Sequence, residues 1–403
     1  MKPKILILMH YMELGGAESA LLGLLQSVDP ERLDVDVFIY SHRGELMKYI
    51  PVDKVHLLPE VKAYSLTEKP IAEVVKNGYI RLALARVCGI MRTRRFCKRV
   101  EAGDKPYECA MFFQQSMTWR VLPKINPDVE YDLAVSFLTP HFVALNNVRA
   151  KKKIGWIHTD YTRITIDVAA EEKMWRQLDY IASISEEVGE RFCEVFPSLR
   201  GKIVQIENIL NSGFIRRRAD ESAVRLCKED GAVKLLTIGR YCPPKRMEII
   251  PELCRRVRES GVDARWYVIG YGSAEIEETV RENIKKEGMT DYVVLLGKKE
   301  NPYPYIKSCD VYVQPSKFEG KSITVREAQI MCKPVVISNY PTAASQVTDG
   351  VDGVIMPLDV EEGAKVMAGF LKDEAARERM AHYLSAHDYG NAEEIEKIYK
   401  LLG

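Results

Sequence analysis

No Cys-x-x-Cys pair occurs among the nine cysteines, which are odd in number and scattered at 88, 97, 109, 193, 227, 242, 254, 309 and 332. That pattern excludes a disulfide framework and structural zinc, and fits reduced thiols. Long apolar runs are missing too. After Met1-Lys2-Pro3 only Ile5 to Met9 is continuously apolar, too short for a signal-peptide core or a membrane span, so a cytoplasmic protein is expected. Charge of either sign is not in excess: the net charge is +1, where a nucleic-acid binder carries a basic surplus over a whole domain. There is no Gly-x-Gly-x-x-Gly, no paired-His metal motif and no Gly-x-Ser-x-Gly elbow. These absences disfavour a dinucleotide-dependent dehydrogenase, a zinc hydrolase and an elbow-type serine hydrolase.

What is present is a long alternation of strands and helices. At 403 residues the chain suits two α/β domains of roughly 200 residues each. Buried-strand runs occur at Lys4–Met9, Val35–Tyr40, Asp132–Phe137, Ile154–Ile157, Tyr180–Ile184 and Ile203–Ile206. A second series occupies Leu235–Ile238, Trp266–Ile269, Val293–Gly297, Val311–Val313, Pro334–Ile337 and Gly353–Met356. Helical periodicity intervenes, as in Asp167–Leu178, the Ser185-initiated run to Val195, and Met247–Ser260. Two doubly wound parallel sheets follow from this alternation. Apolar periodicity lapses near Asn208–Gly231, where charges cluster, and an interdomain linker is expected there. Ile395, Ile398, Tyr399 and Leu402 share one face of a final helix that needs a surface to cover it, plausibly on the first domain.

One segment breaks the rhythm. From residue 74 to 100 there is no acid, while Ile80, Leu82, Leu84, Val87, Ile90, Met91 and Phe96 alternate with Arg81, Arg86, Arg92, Arg94, Arg95, Lys98 and Arg99. A basic amphipathic helix suits an anionic membrane surface. The competing reading is a helix whose apolar stripe is core and whose arginines are solvated.

In open parallel sheets ligands bind outside the carboxyl ends of the strands. Candidate residues are therefore those that directly follow strands. Gly15 and Gly16 follow the first strand and allow either a close backbone approach or a turn at positive φ. His158 ends the Ile154–Ile157 strand, where a lone histidine is also compatible with a structural role. In the second series Gly239, Arg240 and Lys245 follow one strand, Gly270 and Gly272 another. The third such loop is Glu319-Gly320-Lys321-Ser322-Ile323, with Glu327 in the helix behind it. Arg240, Lys245 and Lys321 imply an anionic ligand, although ordinary surface cations look the same in sequence. Asp34-Val35-Asp36, the one Asp-x-Asp found, lies at a strand start away from these loops and reads as a solvated strand start, not a metal site.

Gly15-Gly16 after the first strand, the Trp156-Ile157-His158 strand end, Arg240-x4-Lys245 and Glu319-x7-Glu327, in that order along the chain, resemble the retaining glycosyltransferases of family four, with the GT-B fold. The likeness extends over nearly the whole chain and is strongest from Leu235 to Gly353. It is greatest to bacterial members that build capsular, exopolysaccharide or lipopolysaccharide sugars. The resemblance implies two Rossmann-like domains facing a central cleft: an acceptor domain over 1–210, a linker over 211–232, a donor domain over 233–385, and a helix over 386–403 returning to the first domain. It implies transfer from a nucleotide-sugar, usually a UDP-sugar, to a saccharide or lipid-linked acceptor, with no metal and no cofactor. Glu327 would bind ribose, Arg240 and Lys245 the diphosphate, and Glu319 with the amides of Gly320 to Ser322 the transferred sugar. Gly15 and Gly16 would admit the phosphates, and His158 would touch the sugar or reaction centre. Lys321-Ser322 stands where many members have Phe-Gly, and Asn208-Ile209-Leu210-Asn211 where an Asn-Gly turn is commoner. Alternatives are a GT-B epimerase or phosphorylase, and a non-catalytic nucleotide-binding partner of a transferase. An anionic membrane surface is a further expected partner of residues 79–100, placing the protein on the inner face of the cell membrane.

Overall fold

The computed structural model describes residues 2–101, 103, 105–226 and 231–403. The chain forms two compact units, Met1–Ile209 with Ala392–Gly403, and Leu210–Asn391. The first holds β1 (Lys4–Met9), β2 (Asp34–Ile39), β3 (His56–Leu57), β4 (Tyr131–Ser136), β5 (Ala150–Ile157), β6 (Tyr180–Ser183) and β7 (Ile203–Gln205). The second holds β8 (Val233–Ile238), β9 (Ala264–Ile269), β10 (Val293–Gly297), β11 (Val311–Gln314), β12 (Val335–Ser338) and β13 (Val354–Met356). Strand orders are β3-β2-β1-β4-β5-β6-β7 and β10-β9-β8-β11-β12-β13, parallel throughout. The expected doubly wound α/β class is therefore what the chain has. Each order reverses once, between β1 and β4 and between β8 and β11, and a crevice for ligand opens at such a point.

The strands are apolar on both faces because helices cover both faces. Leu6, Leu8, Phe38, Tyr64 and Tyr131 fill one core, and Leu235, Trp266, Val268, Val311 and Val313 another. A polar stitch ties the middle of the second sheet. The Trp266 indole donates to Thr237 Oγ1 at 2.9 Å, and that hydroxyl donates to the Val313 carbonyl at 2.7 Å. Buried polar atoms thus fix the register of neighbouring strands instead of being left unpaired. Helix starts follow capping chemistry: Ser185 Oγ accepts the Val188 N–H at 3.2 Å, and Asp167 Oδ1 the Ala170 N–H at 3.1 Å.

Three expectations change. Asp36 is not solvated but 1% exposed. It accepts from Lys4 Nζ at 3.0 Å and from the Tyr131 hydroxyl at 2.6 Å, so its carboxylate joins β1, β2 and β4. The stretch 211–232 is not free chain. Ser212–Ala219 is a helix of the second unit that buries Phe214, Ile215, Arg218 and Ala219, while residues 227–230, including Cys227, lie outside the described residues. Finally, only residues from Ala392 onward rejoin the first unit. There the helix Ile395–Leu402 buries Ile395 and Ile398, the Tyr399 hydroxyl accepts the Asp29 N–H at 3.2 Å, and Lys152 Nζ donates to the Leu401 carbonyl at 2.7 Å. Residues ahead of it stay with the second unit, where the Leu210 N–H donates to Asn391 Oδ1 at 2.8 Å.

Residues Ile80–Arg99 form one helix with two apolar faces. Leu82, Ala83 and Gly89 turn inward with Arg86, which is buried, not solvated. Ile80, Leu84, Val87 and Met91 are 50%, 61%, 38% and 44% exposed, and their spacing of four, three and four residues puts them on one outward stripe. Among the described residues, no helix is long and apolar enough to cross a membrane.

Candidate active site

The β8–β11 crevice of the second unit brings together residues from separate loops. Lys245 Nζ lies 2.6 and 2.8 Å from the two carboxylate oxygens of Glu319. Ser316 Oγ and Gln314 Nε2 also donate to Glu319 Oε1, at 2.6 and 3.1 Å. Gln314 ends β11, so the strand itself aims a donor at the carboxylate. Glu319 is 8% exposed, and this set of donors is what makes a buried anion tolerable there. The Thr342 hydroxyl holds the loop by donating to the Glu319 carbonyl at 2.8 Å.

Glu327 lies one loop further on, in the helix Ile323–Ile330, and is 3% exposed. The Tyr303 hydroxyl donates to its Oε1 at 2.9 Å. Burial pushes its carboxyl up to about 7, against the smaller opposing effects of that hydrogen bond and of the Arg218 charge. Arg218 stands 5.5 Å from the Tyr303 ring centroid. It comes from the stretch expected to be linker, which hid it from sequence reasoning.

The other expected ligand-facing groups divide. Arg240 is exposed and, among the described residues, has no ion partner. Gly320, Lys321 and Ile323 are half-buried around the Glu319 loop, Ile323 against the core. The Ser322 amide is not available to a sugar. It donates to Gln346 Oε1 at 3.1 Å, and Gln346 Nε2 donates back to the Ser322 carbonyl at 2.5 Å. Gly270 and Gly272 have no room for a Cβ because backbone lies against them, whereas Gly239 faces a side chain. A Cβ on Gly270 would lie 2.2 Å from the Gly239 carbonyl oxygen, one on Gly272, at φ +153°, 2.7 Å from the Tyr241 oxygen, and one on Gly239 2.7 Å from Met247 Cε.

In the first unit the β1–β4 crevice is lined differently. Gly15 caps the helix Gly16–Gln26 at φ −164°, so the pair makes no positive-φ turn. What comes close to Gly15 is the Glu18 carboxylate, 2.2 Å from where a Cβ would sit. His158, directly after β5, has its Nε2 unpartnered and its ring 4.8 Å from that of Phe137. Two histidines that sequence reasoning passed over accompany it: His10, directly after β1, and His141, whose Nδ1 lies 2.8 Å from Ser136 Oγ at the end of β4. Burial lowers all three, His10 and His158 to about 4 and His141 to about 3, so each is neutral at pH 7. Their signal was positional, since both follow strands. Among the described residues no three His, Cys, Asp or Glu side chains cluster as metal ligands.

Residues 220–386 match the family model described as glycosyl transferases group 1. An uncharacterized glycosyltransferase of Methanocaldococcus jannaschii is 24% identical over 276 residues, 60% of this chain and 67% of the relative. The Escherichia coli UDP-Gal:alpha-D-GlcNAc-diphosphoundecaprenol alpha-1,3-galactosyltransferase is 26% identical over 125 residues, and the match spans 30% of this chain and 32% of that one. Among solved structures, Anabaena HepE in complex with UDP-glucose superposes with a TM-score of 0.65 at 15% identity, covering 99% of both chains. That likeness establishes the GT-B fold.

Proposed function

We propose, on the match of residues 220–386 to the family model described as glycosyl transferases group 1, that the protein transfers a sugar, with retention and without a metal, from a UDP-sugar to a saccharide or lipid-linked acceptor of a bacterial surface polysaccharide. The observation that carries this is the charge set at the β8–β11 crevice, where Lys245 meets Glu319 and Glu327 lies behind them. A carboxylate accepts from two neighbouring hydroxyls, which suits Glu327 to ribose once Tyr303 shares it. The Lys245 ammonium has three N–H groups, so binding Glu319 still leaves one for a phosphate. Lys245 and the exposed Arg240 each supply about 4 kcal/mol of gross attraction to a diphosphate at 4 Å and an effective dielectric of 20. They stabilise the charge that grows on the leaving group, and a leaving phosphate oxygen takes the acceptor proton. Glu319 then recognises the sugar and is not the base. Glu327→Ala and Lys245→Ala are expected to lower transfer about a hundredfold or more with the fold intact, read as product from a radiolabelled nucleotide-sugar. Activity within a few-fold of wild type in either variant defeats the reading. Nucleotide binding with no transfer marks a non-catalytic subunit, and NMR of the anomeric configuration of the product decides retention.

The acceptor end of this reading includes a membrane. The E. coli relative's acceptor is diphosphoundecaprenol-linked by its name, and the outward stripe Ile80, Leu84, Val87 and Met91 is flanked by exposed Arg94, Arg95, Lys98 and Arg99. Such a helix lies in an anionic interface with its apolar side down. Charge reversal of those four cations is expected to abolish co-sedimentation with anionic vesicles. Wild type that stays in the supernatant sinks the membrane part alone.

A further inference from the structure

Two of the scattered cysteines meet in the first unit, at a place the transferase chemistry makes no use of. The helices Ile80–Arg99 and Ala110–Thr118 pack so closely that a Cβ on Gly89 would lie 2.6 Å from Gln114 Cα. Further along the same contact, the Phe96 ring lies 5.6 Å from that of Phe113 and 6.4 Å from that of Tyr107. The Tyr107 hydroxyl draws the connecting chain back by reaching the carbonyls of Cys97, at 3.3 Å, and of Val100. Next to Phe96 and directly before Ala110 stand Cys97 and Cys109, whose thiols are both free and hydrogen-bond to each other. Helix packing and the Tyr107 turn thus bring two sulfurs together from the two ends of one connection.

The two thiols are unequal. Cys109 is 0% exposed, and burial, ahead of the Cys97 contact, pushes its thiol up to about 12, so at pH 7 it is protonated and shielded. Cys97 is half-buried and open to a reagent. The surface around it is cationic: Arg94, Arg95, Lys98 and Arg99 are exposed, and no acid occurs from residue 74 to 100. Such a face draws anions. A thiol held against its neighbour attacks an adduct on that neighbour intramolecularly, with the advantage that proximity gives. Reduced thiols in this arrangement make a reversible pair and not a permanent bridge.

We propose that Cys97 and Cys109 form a redox-modification site, at which Cys97 captures an anionic low-molecular-weight disulfide and Cys109 resolves the adduct. The Cys97 thiolate attacks one sulfur of the reagent, whose S–S bond breaks, and the first half leaves as a thiolate. Cys109 then gives up its proton and attacks the Cys97 sulfur, and the second half leaves as a thiolate. The two cysteines lose two electrons and two protons, and the reagent gains them as two thiols. The product staples the cation-bearing end of the helix Ile80–Arg99 to the start of Ala110–Thr118, and neither step needs a nucleotide or a sugar.

The test treats the native full chain with oxidised glutathione, blocks the remaining thiols by alkylation and digests with trypsin. Trypsin cuts after Arg95, Lys98 and Arg99 but not at Lys105-Pro106, so the disulfide is read by mass as peptide 96–98 joined to peptide 100–120. Dithiothreitol is expected to separate them. Cys109→Ser is expected to retain glutathione on Cys97, and Cys97→Ser to leave Cys109 unmodified. Cystamine, a cationic disulfide, is expected to form the link about tenfold more slowly or worse. Absence of the joined peptides overturns the proposal, as does a glutathione adduct that persists on wild-type Cys97, or equal rates with the two reagents. Modification of Cys88, Cys242 and Cys332, which are half-buried as well, at the same rate would mark general thiol oxidation and overturn it too. A link that forms only in urea belongs to the unfolded chain and has the same consequence. The joined peptides are read in wild type, so a variant that fails to fold leaves the test standing.

Discussion

The two crevices sit at the same place in the same topology, one between β1 and β4 and the other between β8 and β11, yet their chemistry is opposite. In the second unit the crevice holds the Lys245–Glu319 ion pair, and the helices behind it bring Arg218 beside the Tyr303–Glu327 hydrogen bond. In the first unit the strand ends present imidazoles that burial keeps neutral. Topology selects where a ligand goes, and side chains select what it is. The charged crevice suits a nucleoside diphosphate, and the neutral one a group to which charge would be a burden.

The contrast has a pH signature with opposite signs. Glu327 holds its proton up to about 7 in the folded state, well above its ordinary 4.5. Its contribution to stability is complete below pH 4.5 and is lost as the pH rises through 7, because the unfolded chain gives up the proton first. The histidines run the other way. Their folded values of about 4, 3 and 4 lie below the ordinary 6.5, so their contribution is complete above 6.5 and is lost as the pH falls toward 4. Glu171, held up to about 8 by burial in the first unit, shares the sign of Glu327. A difference measurement separates them. Glu327→Gln keeps an acceptor for Tyr303 and removes the titration, so wild type minus variant, from urea unfolding at pH 5 and pH 8, isolates the second unit. The expected change in that difference is on the order of 3 kcal/mol. Parallel profiles would show that the two crevices do not differ in this way.

Much of this organisation was legible in the chain. Buried parallel strands contain apolar runs, and every strand except the two-residue β3 holds one, although the first half of β5, Ala150-Lys151-Lys152-Lys153, is largely polar and escapes that signal. Glu319, Lys245 and Glu327 were legible because they sit at fixed offsets from such runs. Residues whose roles depend on distant partners were not. Asp36 looked like a strand start because Lys4 and Tyr131 reach it from other strands, and Ser322 looked like a free amide because Gln346 lies 24 residues away. Arg218 was hidden by a short helix with three consecutive arginines, where charge masks the apolar pattern.

The glycines give the comparison its finest test. The first-unit Gly15 and the second-unit Gly272 read alike in sequence, each following a strand and preceding a helix. In the structure Gly15 is extended at φ −164°, and what a Cβ would strike is Glu18 Oε2, the far end of a flexible side chain. Gly272 sits at φ +153°, with backbone atoms of Tyr241 at 2.7 and 2.8 Å from the Cβ position. A side chain can rotate away, whereas the Tyr241 backbone is fixed by the Tyr241 N–H to Tyr271 carbonyl bond at 2.9 Å and by the Ser273 N–H to Tyr241 carbonyl bond at 2.9 Å. Gly272→Ala is therefore expected to destabilise the second unit by about 1–3 kcal/mol, from an unfavourable φ plus a backbone clash. Gly15→Ala should change stability by less than about 1 kcal/mol, since only Glu18 must move. Thermal unfolding of the two variants ranks them, and equal losses would mean that Gly15 is held against backbone after all.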